Sequence, residues 1–267
     1  MELAGRKALL TGATGGLGRA IGLALAGRGA SLALSGRKRE ALEALAAELP
    51  GSGHSVLVAD LAEPGAAEKL AAEAGEVDLL VANAGLPGAG RMEDFSAEEV
   101  RRAVRVNLEA PMVLAQALYP AMLAKGSGHL VFVASLSGKA PSPRSAIYNA
   151  TKFGLRGFAL GLRADLAPQG VGVSIVSPGF IREAGMFAES GATAPAGLGT
   201  STPEKVARGT LRAIEGDKVE VAVAPVQQRV LAHFGLVSPG IAVRTASGSA
   251  GQKAAAAVAD GHSKDKR

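Results

Sequence analysis

The stretch K-A-L-L-T-G-A-T-G-G-L-G, Lys7 to Gly18, decides how the rest of the chain is read. Its first five residues are a short, mainly apolar run ending at a glycine, the pattern of a buried strand. A helical pattern begins at Gly16 and continues to about Arg28. Between them, Gly12, Gly16 and Gly18 let the backbone turn sharply and come close to a pyrophosphate, whose charge a helix N-terminus would meet. The spacing is Gly-x-x-x-Gly-x-Gly, distinct from the tighter Gly-x-Gly-x-x-Gly dinucleotide fingerprint.

The same alternation runs through the chain. S-L-A-L-S, S-V-L-V-A, V-D-L-L-V-A, H-L-V-F-V-A, V-G-V-S-I-V and V-E-V-A-V read as six further strands. Helical patterns separate most of them: Arg39–Leu49, an Ala-rich run from near Pro64, Ser96 to about Lys125, the stretch after Ser145, and one opening at S-T-P-E. Ser96 and Glu99 stand at capping-box spacing. Strands alternating with helices imply right-handed crossovers and a parallel sheet. The expected fold is α/β, a Rossmann-type doubly wound sheet of about seven strands in a single domain. Residues 1–245 are expected to form the catalytic domain. Residues 180–202, rich in Gly, Ala, Thr and Pro, read as a mobile lid. From 246 to 267 the composition turns Ser/Gly/Ala-rich and suggests a weakly ordered tail, either a weak helix or disordered chain.

Composition narrows the class. The chain of 267 residues has no cysteine, which excludes disulfides and thiolate metal sites and fits a reducing cytoplasm. The N-terminus enters a strand without the apolar run of a signal peptide. The net charge of +5 comes from scattered basic residues without interleaved aromatics, which argues against nucleic-acid binding. His54, His129 and His233 are scattered and form no metal-ligand pattern. The run Gln227–Val237 mixes apolar and basic residues. Subunit packing or capping of a substrate pocket are its favoured roles, and membrane contact is a minority reading.

At the end of the second strand, an Asp or Glu would bind the 2′-hydroxyl of NAD. The segment here is L-A-L-S-G-R-K-R. Ser35 and Gly36 leave room, and Arg37 can meet a 2′-phosphate with charge-assisted bonds, supported by Lys38 or Arg39. NADP(H) is therefore expected over NAD(H).

In S-A-I-Y-N-A-T-K-F-G, Ser145–Gly154, Tyr148 precedes Lys152 by one helical turn, so the two share a face. A free phenol ionises near pH ~10, and a neighbouring ammonium would favour the phenolate and lower that value. Together these motifs resemble the short-chain dehydrogenase/reductase family over roughly residues 5–225. The turn containing Gly12, Thr14, Gly16, Leu17 and Gly18 matches the family's cofactor turn. Asp60, with Leu61 beside it, sits where the family contacts adenine, and Asn83-Ala84-Gly85 matches its Asn-Ala-Gly motif. Pro178 and Gly179 follow the sixth strand, with Ile181 next to them on the cofactor side.

The resemblance implies a catalytic set of Asn107, Ser135, Tyr148 and Lys152. Tyr148 would exchange a proton with the substrate oxygen, and Ser135 would hydrogen-bond that oxygen. Lys152 would hold the nicotinamide ribose and lower the tyrosine pKa, while Asn107 would anchor a water leading to solvent. The expected activity is NADPH-dependent, reversible reduction of a small to medium carbonyl compound by a homodimer or homotetramer. The alternative is a dinucleotide-sensing protein of the same fold without turnover. One position departs from the pattern: Glu183 replaces the threonine that usually binds the carboxamide, and its carboxylate could accept from the amide.

Overall fold

A computed structural model describes residues 1–262. Seven strands form one parallel sheet: β1 (Lys7–Thr11), β2 (Ser31–Gly36), β3 (Ser55–Val58), β4 (Leu79–Ala82), β5 (Gly128–Val133), β6 (Val171–Pro178) and β7 (Glu220–Val223). Their spatial order is β3-β2-β1-β4-β5-β6-β7, with in-register parallel pairs such as Leu9↔Ala33 and Leu9↔Leu80. The order reverses at β1 and β4, so a crevice opens beyond their carboxyl ends.

The strands are apolar on both faces because helices cover both. On one side Leu10, Val81, Val131 and Val176 join Ile21 and Leu25 of helix α1 (Gly16–Ala26) and Leu42 of α2 (Arg39–Glu48). On the other, Leu9, Leu80, Leu130 and Phe132 pack with Leu70 of α3 (Ala66–Ala74). Truncating any of these buried leucines to alanine would cost about 2–5 kcal/mol.

The long pattern from Ser96 is not one uniform helix. The Ser96–Glu99 capping box opens α4 (Ala97–Val104), a π-helical turn spans Arg105–Glu109, and α5 (Ala110–Ala124) follows. Such turns widen a helix locally and reorient its side chains. This one holds Asn107. The next helix, α6 (Ala146–Leu166), carries Tyr148 and Lys152.

After β6 the chain runs through a single bridge between Ile181 and Ser201 and one short turn, α7 (Met186–Glu189). Helix α8 (Pro203–Glu215) is capped by Thr202, whose hydroxyl accepts from the Lys205 amide. The chain then forms α9 (Val226–Val237), α10 (Pro239–Ala246) and α11 (Ser249–Asp260). Of the two readings of the C-terminal stretch, Ser249–Asp260 takes the helical one, consistent with the propensity of its alanine run. Residues 263–267 lie outside the described residues. Among the described residues, no helix is long and apolar enough to cross a membrane.

Candidate active site

The carboxyl ends of the strands open into a cleft of about 1050 Å³. Its floor begins at the glycine turn. Gly12 has φ +63°, and a Cβ there would lie 2.9 Å from the Ala84 backbone. A Cβ on Gly18 would collide with the Gly12 carbonyl. The turn is thus built without side chains at the mouth of α1, the arrangement that admits a phosphate close to backbone amides.

Asn83 fixes this turn to the end of β4. Its Nδ2 donates to the carbonyls of Thr11 (3.0 Å) and Gly12 (3.1 Å). Thr11 returns the tie, its Oγ1 accepting from the amides of Asn83 and Ala84, each at 3.0 Å. The sequence motif draws attention to Asn83. Thr11, the last residue of β1, carries no separate signal.

Farther along, Gly36, Arg37 and Lys38 line the cleft at the end of β2. Arg39 points elsewhere and pairs with Glu43 at 3.6 Å. Asp60 and Leu61 line the wall beyond β3, where Asp60 Oδ1 accepts from the Ala62 amide at 3.0 Å. Gly85, Pro178, Gly179 and Ile181 lie on the same surface, as do Thr14, Gly16 and Leu17.

Ser135, Tyr148 and Lys152 meet at the centre of the cleft. Ser135 caps the short turn Leu136–Gly138, its Oγ accepting from the Ser137 amide at 3.1 Å. Tyr148 hydrogen-bonds with Ser135, and burial of the phenol raises its pKa more than that bond lowers it. The lowering expected from Lys152 is not found in the protein alone. The Lys152 ammonium lies 5.6 Å from the centre of the tyrosine ring and donates to the Val133 carbonyl at 3.0 Å. Lys152 is 3% exposed, and burial lowers its own pKa to about 8. Burial of the phenol itself sets the direction, and the ammonium at this distance does not reverse it.

Asn107 is buried behind Gly85 rather than in the cleft wall. Its Oδ1 accepts from the Leu86 amide at 2.7 Å, and its Nδ2 donates to the Leu86 carbonyl (2.9 Å) and Thr151 (3.3 Å). A Cβ added to Gly85 would lie 3.4 Å from Asn107 Oδ1 and 3.8 Å from Lys152 Nζ, so amide and ammonium flank the same glycine.

Glu183 does not line the cleft. It has φ +76°, its side chain is 57% exposed, and it pairs with Arg182 at 2.7 Å. Ala184, Gly185 and Met186 face the cleft in its place. The left-handed backbone at Glu183 turns the carboxylate outward, so the expected carboxamide contact is absent from this arrangement.

A charge cluster not evident from the sequence braces the site. Glu220 pairs with Lys139 (2.8 Å) and Arg156 (3.2 Å) and accepts from Ser177 (2.6 Å). Burial works to raise its carboxyl pKa, but these bonds and charges hold it below the usual range. The cluster joins β7, β6, the turn after Ser135 and the helical turn after Lys152.

A cleft floored by glycines, with a protonated phenol and an ammonium at its centre, suits acid–base chemistry beside a dinucleotide. Residues 6–195 match the family model for short chain dehydrogenases. The chain belongs to the short-chain dehydrogenase family. It is 33% identical over 227 residues to the ketoacyl reductase HetN of a Nostoc species, covering 83% of this chain and 79% of that protein. It is 32% identical over 255 residues to dehydrogenase/reductase SDR family member 7B of Bos taurus, covering 88% and 78%. A solved short-chain dehydrogenase from Sphingobium yanoikuyae, in complex with NADPH, superposes with a TM-score of 0.78 at 26% identity, covering 91% of this chain and 96% of that one. This short-chain dehydrogenase is accordingly an NAD(P)-dependent oxidoreductase.

Proposed function

We propose that the protein is an NADPH-dependent carbonyl reductase in which Ser135, Tyr148, Lys152 and Asn107 form the catalytic machinery. The observation that carries the reading is the meeting of Ser135, Tyr148 and Lys152 in a cleft continuous with the glycine turn. The sensor alternative has no feature of its own, since both the tyrosine and the lysine face the cleft.

The residues fit a bound dinucleotide. The glycine turn would take its pyrophosphate, Asp60 and Leu61 its adenine, and Lys152 its nicotinamide ribose. When bound, NADPH supplies the hydride that adds to the carbonyl carbon. Tyr148 hydrogen-bonds the substrate oxygen and gives it the proton that completes the alcohol, later regaining one from solvent. Ser135 donates to the same oxygen and stabilises the charge that develops there. A phenol whose resting pKa is raised is fully protonated at neutral pH, the form that reduction consumes. Asn107 positions the Gly85–Lys152 wall and, through the second lone pair of Oδ1, offers a water site on the solvent route.

Arg37 is the contact for the 2′-phosphate. It is exposed at the cleft, and among the described residues no carboxylate pairs with it. Ala184 packs on Gly16, and the Met186 methyl reaches Gly85. This supports residues 180–202 as a lid over a catalytic domain of residues 1–245. Val104, Met112 and Phe153, exposed on α4, α5 and α6, support subunit pairing through those helices.

A panel of ketones, aldehydes and 3-oxoacyl thioesters, followed by loss of NADPH absorbance, tests the activity. Turnover of at least one member is expected. Tight NADPH binding with none would favour the sensor. For the cofactor, a guanidinium–phosphate contact is worth about 1.5–3 kcal/mol, so kcat/KM should favour NADPH over NADH by at least about tenfold. A Cβ at Gly36 meets only ordinary contacts at 3.5 Å, so an aspartate fits there. Gly36→Asp with Arg37→Ile should reverse the preference, and an unchanged ratio would place selectivity elsewhere.

A further inference from the structure

The cleft is larger at one end than the acid–base centre requires. Past Tyr148 it continues beneath α9, α10 and α11, where Leu231, Phe234, Ile241, Ala254, Ala255 and Val258 line it. Helices α10 and α11 come after residue 195, where the match to the family model ends.

The chemistry of this arm is one-sided. Between Glu220 and Asp260 the chain has no acidic residue. The polar side chains that line the arm from α9 to the C-terminal end are already spent on the protein. Gln228 accepts from the Phe180 amide (3.1 Å) and donates to the carbonyls of Leu198 (3.2 Å) and Gly199 (2.8 Å). Thr245 donates to the Ile241 carbonyl at 2.9 Å. The His262 ring lies between the carbonyls of Val258 (2.8 Å) and Met186 (2.9 Å). What remains toward the cavity is methyl, methylene and aromatic surface. Leu231, Phe234 and Ile241 are 44, 54 and 55% exposed, so large apolar groups stand wet along this wall. A sugar, phosphate or carboxylate would find no open partner among those side chains and would lose hydration. A hydrocarbon would cover the exposed wall at a gain.

We infer that the carbonyl substrate carries a long aliphatic tail, which lies in the arm lined by α9, α10 and α11 while the carbonyl meets Tyr148. The inference rests on the carbonyl-reductase reading for the head of the substrate, but the tail site itself does not depend on turnover. The reaction is the one already described, with hydride to carbon and a proton to oxygen.

The test uses the full chain with NADPH and the aldehydes butanal, hexanal, octanal, decanal and dodecanal. Burying each methylene contributes about fourfold, so kcat/KM should climb by roughly that factor per carbon until the arm is filled. Ala254→Phe, which plugs the arm, should move the optimum to shorter chains. Ala255→Leu is a milder plug with the same expected shift if the first variant fails to fold. In parallel, the matching n-alkanols should displace a dansylated dodecyl amine from the protein, with affinity rising along the same series. Length-dependent displacement without turnover of any aldehyde would uphold the tail site and overturn the reductase reading. A flat series in both assays, with butanal turned over, would overturn the tail site and leave the reductase standing. So would dimerisation that hides Leu231, Phe234 and Ile241, read as a doubled mass by light scattering that their replacement by serine abolishes, together with a flat series.

Discussion

The two ends of the central strands both carry buried ionisable groups, yet they do opposite things with them. At the carboxyl end, Lys152 and Tyr148 face a cleft, and burial pushes both pKa values toward the neutral forms. At the amino end, His129 of β5 and Ser174 of β6 form a hydrogen bond of 2.8 Å, with Asp217 and Arg163 beside them. By residue type this second group is a serine, a histidine and an aspartate, the ingredients of a nucleophilic triad. It is sealed, with Ser174 wholly buried and its hydroxyl spent on the Lys218 carbonyl at 2.6 Å. A nucleophile needs a free lone pair, a base to take its proton and space for a substrate, and Ser174 lacks the last. The ionisable groups are sealed at His129 and Ser174, where the strands begin, and face a cleft at Tyr148 and Lys152, where they end.

The largest effects should separate the two ends by activity. Tyr148→Phe removes the transferable proton alone, so kcat should fall by at least about 10²-fold while NADPH affinity holds. Ser174→Ala at the opposite end should leave kcat within about twofold and cost roughly 1–3 kcal/mol in stability, because a buried hydrogen-bond network loses a member. If the serine variant lost activity and the phenylalanine variant kept it, the assignment of the two ends would be reversed.

Acid should act on the closed end. Burial lowers His129 to about 4, against about 6.5 in an unfolded chain. The folded state therefore binds fewer protons than the unfolded state between those values. The sign follows: this contribution to stability is full above pH ~6.5 and is lost as pH falls toward 4, up to roughly 3 kcal/mol. Urea midpoints measured across that range should decline, and His129→Gln should flatten the decline.

Base and substitution should act on the open end. Lys152 is held uncomfortably, its pKa lowered from 10.5 to about 8 by burial, so keeping it charged at neutral pH costs stability. Lys152→Met should raise thermal stability by roughly 1–3 kcal/mol while abolishing most turnover, the trade expected of a functional residue. In the wild type, kcat for reduction should fall as pH rises past about 8, as the ammonium is lost. A methionine variant that melts earlier than wild type would show that the Val133 hydrogen bond outweighs desolvation.

Much of this was legible in the sequence because strand and helix periods differ and the glycine turn has few uses. All seven strands stand where the apolar runs lie, and the glycines of the turn, the Asn83–Gly85 motif and Pro178–Gly179 line the cleft, whereas Arg39 and Glu183 do not. Three features were hidden for physical reasons. Glu220 meets Lys139 and Arg156 only because parallel strands bring distant segments together, and no local pattern encodes that meeting. The π turn at Asn107 spans only five residues inside a longer helical pattern, too short for its changed period to register in the sequence. The resting pKa values depend on burial, which spacing alone does not give: at i and i+4 the Tyr–Lys pair promised a lowered phenol, and desolvation of the phenol reversed the sign.

The smallest predicted effect concerns Glu183, on the open side of the molecule. A non-glycine residue at φ +76° is held in a sparsely populated conformation, at a cost of order 1 kcal/mol. Its ion pair with Arg182 does little to offset this, since both side chains are more than half exposed. Glu183→Gly removes the strain, though the added freedom of glycine in the unfolded chain returns part of the gain. A net rise of about 0.5 kcal/mol corresponds to roughly 1–2 °C in Tm for a chain of this size. Glu183→Thr keeps a Cβ in the same conformation and should show no rise. Neither variant should change the Kd for NADPH, because the Glu183 side chain turns away from the cleft. A loss of NADPH affinity of about tenfold in the glycine variant would mean that the carboxylate swings inward when the dinucleotide binds. The open end would then be shaped by its ligand, in contrast to the fixed network around His129.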